Sequence, residues 1–129
     1  MINILYAKEK EMPTVVSILR AKEYKGFVSI YFEKISHLLE YDIILSVLVE
    51  ELKCEVLTSF DLVYHKHNKL RWQNIEFELR HEDFMGNFIR TVPENADILE
   101  QLANQAADII NENIEKVRKS KGKRGKKGK

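Results

Sequence analysis

Period-two alternation dominates the middle of the chain. Between Cys54 and Tyr64, Val56, Thr58, Phe60, Leu62 and Tyr64 alternate with Glu55, Ser59 and Asp61. Further on, Ile75, Phe77 and Leu79 alternate with Asn74, Glu76, Glu78 and Arg80. A strand sends successive side chains to opposite faces, so each run predicts a strand buried on one side. Lys66-His-Asn-Lys69 supplies a polar turn between them. Glu82-Asp83 and Gly86-Asn87 bracket another, followed by a strand over Asn87–Val92. These pieces predict three antiparallel strands in a meander. Trp72 is out of phase with Ile75, which predicts a bulge near Gln73-Asn74.

The pattern then changes period. Ile98, Leu99, Leu102, Ala103, Ala106, Ile109, Ile110, Ile114 and Val117 fall on one broad face at 100° per residue, with Glu100, Asn104, Asp108, Asn111, Glu112 and Glu115 mainly opposite. Thr91-Val-Pro-Glu94 has capping-box spacing, with Thr91 at the N-cap, Glu94 reaching back and Pro93 in the first turn. A second helix is predicted from Asp42, as cap, to about Leu52, with Leu45, Leu48, Val49 and Leu52 at helical spacing. Upstream, Pro13–Lys22 reads as a short helix, and Ile2–Tyr6 and Phe27–Phe32 as strands. Tyr31–Leu39 reads alternatively as an N-terminal extension of the Asp42 helix.

Charge divides the chain more sharply than hydropathy does. Its 129 residues carry a formal net charge of +1, but nine of the 21 basic residues lie from Lys116 onward, where no acid follows Glu115. The preceding residues keep 12 basic against 20 acidic side chains, a net of −8. The basic run holds three of the five glycines and no apolar residue after Val117, so it has nothing to bury. The predicted organisation is one α+β domain over 1–117, with a disordered polybasic tail over 118–129. Its sheet has three strands, extendable to four or five and mainly antiparallel. A helix from the N-terminal half and the long C-terminal amphipathic helix pack on it.

Candidate chemistry is sparse. The single cysteine, Cys54, allows neither an intrachain disulfide nor a four-cysteine zinc site, and its setting reads as core rather than nucleophile. No serine sits in a Gly-x-Ser-x-Gly elbow, and with only Gly26 and Gly86 before the tail there is no phosphate-cradling loop. His65, His67 and His81 with Asp83 would suit zinc if they converged, although residues at turns and strand ends are the plainer account. Glu76 and Glu78 share a strand face, as flanking carboxylates of a glycosidase would, but read more simply as a solvated face with Arg80 as their pair. The densest polar cluster of the body is Arg80-His-Glu-Asp-Phe-Met-Gly-Asn87.

These features point away from catalysis. The expectation is a non-catalytic accessory protein whose acidic body docks a protein partner through Glu76, Glu78, Arg80, Glu82 and Asp83. Its tail, through Lys119, Lys121, Lys123, Arg124, Lys126, Lys127 and Lys129, contacts nucleic acid or the ribosome. The alternative is a small acidic inhibitor of the immunity type that neutralises a basic partner such as a nuclease toxin. Neither reading calls for a cofactor, a metal or a membrane span, and the compartment expected is the cytoplasm.

Overall fold

The computed structural model describes residues 15–62 and 65–127, with the backbone path alone beyond Ile114. Among the described residues, six strands form one antiparallel sheet: β1 (Ser17–Arg20), β2 (Val28–Glu33), β3 (Glu55–Asp61), β4 (His65–Trp72), β5 (Ile75–Glu82) and β6 (Gly86–Thr91). Their spatial order is β1-β2-β6-β5-β4-β3. Two helices pack on one face. Helix α1 (Leu38–Ser46) runs on into a π turn at Val47–Glu51, and α2 (Ala96–Lys127) follows a 3-10 turn at Pro93–Asn95. Among the described residues, no helix is long and apolar enough to cross a membrane.

The sheet is larger than the three-stranded meander expected. Lys66–Lys69 belongs to β4 rather than to a turn, so the meander is β3-β4-β5-β6. The segment is polar because its inward positions have partners. Asn68 is buried, accepting from the Tyr41 hydroxyl at 2.7 Å and donating to Ser59 at 2.6 Å. Lys66 reaches Asp42 at 3.0 Å and lies 5.3 Å from the centre of the Tyr41 ring. The irregularity at Gln73-Asn74 is the β4–β5 hairpin turn. Both residues have positive φ (51° and 68°), as a two-residue turn matching the strand twist demands. The bulge lies instead in β3, where the register slips between Val56 and Thr58. That slip leaves Val56 opposite buried Leu70 but turns Thr58 and Phe60 to the other side, so Phe60 is 46% exposed.

Near the N-terminal side, the helix expected at Pro13–Lys22 is overturned: Ser17–Arg20 is an edge strand, and residues 13 and 14 lie outside the description, as does Ile2–Tyr6. The strand expected at Phe27–Phe32 is β2, with Val28, Ile30 and Phe32 buried. Helix α1 begins at Leu38, not at an Asp42 cap. His37 takes the N-cap position and the buried Glu40 side chain accepts from its backbone N–H at 3.0 Å. Thr91 likewise does not cap α2. It ends β6 with its hydroxyl buried and unpartnered, and Val92 precedes the 3-10 turn that Pro93 starts.

The core lies between the helices and the sheet's inner face, where Phe32, Leu70, Leu79 and Ile89 meet Tyr41, Ile44, Leu48, Leu99 and Leu102. The Leu79 carbonyl lies 2.8 Å from the same Tyr41 hydroxyl and shares its one proton with Asn68, so the buried O–H is satisfied. The apolar face predicted for α2 is the buried one as far as Ile114. Beyond it the backbone of α2 runs on to Lys127. Extending a helix already seated on a core needs no new nucleus, and Lys and Arg favour helix. The opposing cost falls at Gly122 and Gly125, about 1 kcal/mol each.

A candidate docking surface on the open sheet face

Among the described residues, no element covers the sheet's second face. Strand alternation places Glu76, Glu78, Arg80 and Glu82 of β5 there in a row. Beside them in register run Arg71, Lys69, His67 and His65 of β4. Four of the five residues proposed for partner binding are thus brought together, but they are not free. Arg80 donates to Glu78 at 2.6 Å and to Glu82 at 3.0 Å. Glu76 is held by Arg71 at 3.3 Å and Lys69 at 3.4 Å, and Arg71 also reaches Glu55 of β3 at 3.1 Å. Burial works against the Arg80 charge, yet its two carboxylates outweigh that and hold the guanidinium above its ordinary value. The hydrogen bonds from Arg71 and then Lys69 hold Glu76 below the usual carboxylate range. This half of the face is a saturated lattice of ion pairs.

The histidines divide between the two faces. His65 Nε2 and His67 Nδ1 lie 2.8 Å apart on the open face, one donating to the other, and Phe60 stacks on His67 with ring centres 5.0 Å apart. Partial burial and the nearby Arg80 guanidinium push the His67 imidazole below its ordinary value. His81 is one residue out of phase and points to the helix side, 5% exposed. The three rings therefore do not converge, and no cluster of three ligating side chains is placed to hold a metal among the described residues. Cys54 is buried and its thiol is pushed up to about 12, which leaves it no nucleophilic form near neutrality.

The other half of the face, over β1, β2 and β6, is built differently. Phe88 of β6 points outward yet is 3% exposed, roofed by a small cluster separate from the main core. Tyr31 packs on it with ring centres 5.0 Å apart, and Arg90 lies 3.9 Å from the centre of the Phe27 ring. Around them Leu19, Tyr24, Phe27 and Met85 are exposed. Depressions on this side of the sheet meet at Met85 and Tyr31.

Phe84, beside Met85 in the β5–β6 turn, is the extreme case. Its side chain is fully exposed and its φ is +72°, a left-handed conformation that costs a non-glycine residue about 1 kcal/mol or more. Gly86 follows at φ +95°, where a Cβ would sit 2.9 Å from that of Ser36, so the turn is pinned against the β2–α1 loop. The fifth residue proposed for partner binding, Asp83, lies in this turn rather than in the ladder, 3.7 Å from His81.

The sequence placed a candidate site in the Arg80–Asn87 cluster but valued its charges over its apolar residues. Tyr31 and Phe88 were missed because each sits in an otherwise ordinary strand. The available signal was an aromatic on the polar phase of its strand. Of the tail residues, Lys119, Lys121, Lys123, Arg124, Lys126 and Lys127 lie on the helical backbone of α2, and Lys129 lies outside the described residues. Comparison with protein-family models, with curated proteins and with solved structures gave no match.

Proposed function

We propose that this is a non-catalytic accessory protein. Its body docks a protein partner on the open sheet face, and its basic C-terminal segment contacts nucleic acid or the ribosome. The observation that carries the docking half is Phe84, a fully exposed aromatic held in a disfavoured backbone conformation beside exposed Met85. Nothing in the fold is gained by exposing that ring, whereas aromatic and methionine side chains ringed by polar groups are what partner proteins bury. The ion-paired ladder of Glu76, Glu78, Arg80 and Glu82 forms a polar rim to this patch. Because its acids are already matched by Arg71, Lys69 and Arg80, it gives little support to an inhibitor that works by free negative charge.

The nucleic-acid half rests on the charge density after Glu115. Neutralising phosphates releases counterions, so affinity should fall steeply with salt and depend little on sequence. A full-length variant with Lys119, Lys121, Lys123, Arg124, Lys126 and Lys127 changed to Gln tests it. Loss of both RNA binding and its salt dependence supports the reading, and unchanged binding defeats it. For docking, a photo-crosslinking residue at position 84 should trap one protein in native extract, a product absent when the crosslinker replaces Glu112 on α2. Equal patterns from the two positions would defeat the docking half.

A further inference from the structure

Behind the exposed turn, on the helix side of β5, lies a cleft lined by Ser36, His37, His81, Asp83, Met85 and Gly86. Its hydrogen bonding is determined step by step from backbone that can only accept. The buried Asn87 amide nitrogen donates to the Ile35 and His37 carbonyls, at 2.8 and 3.0 Å, which fixes the amide's orientation. The Asn87 carbonyl oxygen then faces His81 Nδ1 at 2.7 Å and can only accept, so Nδ1 carries a proton. In the neutral ring, Nε2 is left as a lone pair. It has no hydrogen-bond partner, yet Thr91 Oγ1 is the only fully buried side-chain polar atom without one among the described residues, so Nε2 opens on the cleft. The nearest charged atom is Asp83 Oδ1, 3.7 Å away, a second acceptor.

Two acceptors side by side, one on a ring more than nine-tenths buried and oriented by its own hydrogen-bond chain, call for a donor between them. We infer that this cleft binds a primary ammonium group, which donates one N–H to His81 Nε2 and another to Asp83, with Met85 and the edge of the turn against its alkyl chain. A tetrahedral ammonium has three donors and can bridge acceptors at this spacing, and the carboxylate supplies the opposite charge. The group can be that of a free alkylamine or of a lysine side chain. The cleft shares Phe84 and Met85 with the docking patch, but the site rests on His81 and Asp83, so failure of the docking reading leaves it standing.

The test is NMR of the histidine ring nitrogens in the full-length protein, at a pH of about 8.5, above the ordinary imidazole range. The His81 ring should show the Nδ1–H tautomer. Adding n-butylammonium chloride should shift Nε2 saturably, and Asp83→Asn, at a half-exposed position that leaves the core untouched, should weaken that response about fivefold. Nα-acetyl-lysine methylamide, with its ε-ammonium free, is the second arm: tighter binding than butylammonium identifies a chain lysine as the source, and weaker binding a free amine. The opposite tautomer, a linear unsaturable response, an Asp83→Asn variant that responds as the parent does, or an equal shift with inorganic phosphate would each overturn the site.

Discussion

The two halves of the open sheet face share a backbone and differ in how their side chains are satisfied. Over β3, β4 and β5, Glu55, Glu76, Glu78 and Glu82 stand against Lys69, Arg71 and Arg80, each carboxylate touching at least one cation. Over β1, β2 and β6, Tyr31, Phe88 and Arg90 on Phe27 make small stacks, with Leu19, Tyr24, Phe84 and Met85 left to solvent. A paired charge meets its own requirements, and opening it to bind something else costs desolvation. An exposed aromatic has only hydrophobic burial to gain. The contrast shows that the dense charge of a face is no measure of its readiness to bind.

The largest effect that would break this contrast is on partner capture. Changing Phe84 and Met85 together to Ser should weaken capture of the crosslinked partner tenfold or more, about 1.4 kcal/mol or above, while Lys69→Ala should leave it within twofold. Equal losses from both changes would erase the distinction. Next comes Arg80→Ala, which leaves Glu78 and Glu82 without their shared cation at a partly buried position. It should cost about 1–2 kcal/mol in urea unfolding with little change in capture.

Phe84→Gly sharpens the comparison from the other side. It removes the anchor and relieves the left-handed strain at once, so the protein should become more stable by about 0.5–1 kcal/mol while losing the partner. The smallest effect concerns His67. Its folded imidazole is held below the unfolded value by partial burial and then by Arg80, so the folded state favours the neutral ring. That contribution is fully present above the unfolded value and is lost as pH falls through the folded one. NMR titration should show the His67 midpoint moving up in Arg80→Gln. An unmoved midpoint would mean that the guanidinium does not act on the ring.

Where local pattern and burial coincide, the sequence was legible. Ile75, Phe77 and Leu79 announced β5, and the heptad-like apolar face announced α2 as far as Ile114. It misled where a polar residue finds its partner far along the chain. Lys66 and Asn68 look like turn residues until Asp42 and Tyr41, from 24 and 27 residues earlier, are set beneath them. Thr91 looked like a cap because nothing local says that β6 carries its hydroxyl into the core. In the candidate site, the cluster from Arg80 to Asn87 was visible, but its division was not. Whether His81 joins His65 or opposes it depends on strand phase, and whether Phe84 is buried depends on where the helices stop.

One contact carries a consequence for the order of assembly. The Asn111 side-chain amide accepts from the Val16 backbone N–H at 2.8 Å and donates to the Val16 carbonyl at 3.0 Å, standing in for a strand neighbour. Arg20, at the far end of β1, is fastened to Asp97 and Glu100 on the same helix. On a ribosome adding about 5–20 residues per second, β1 emerges before the other described strands but waits several seconds for the helix that holds both its ends. Among the described strands, the earliest to be synthesised is therefore among the last to be secured, and α2 acts as the latch that holds it.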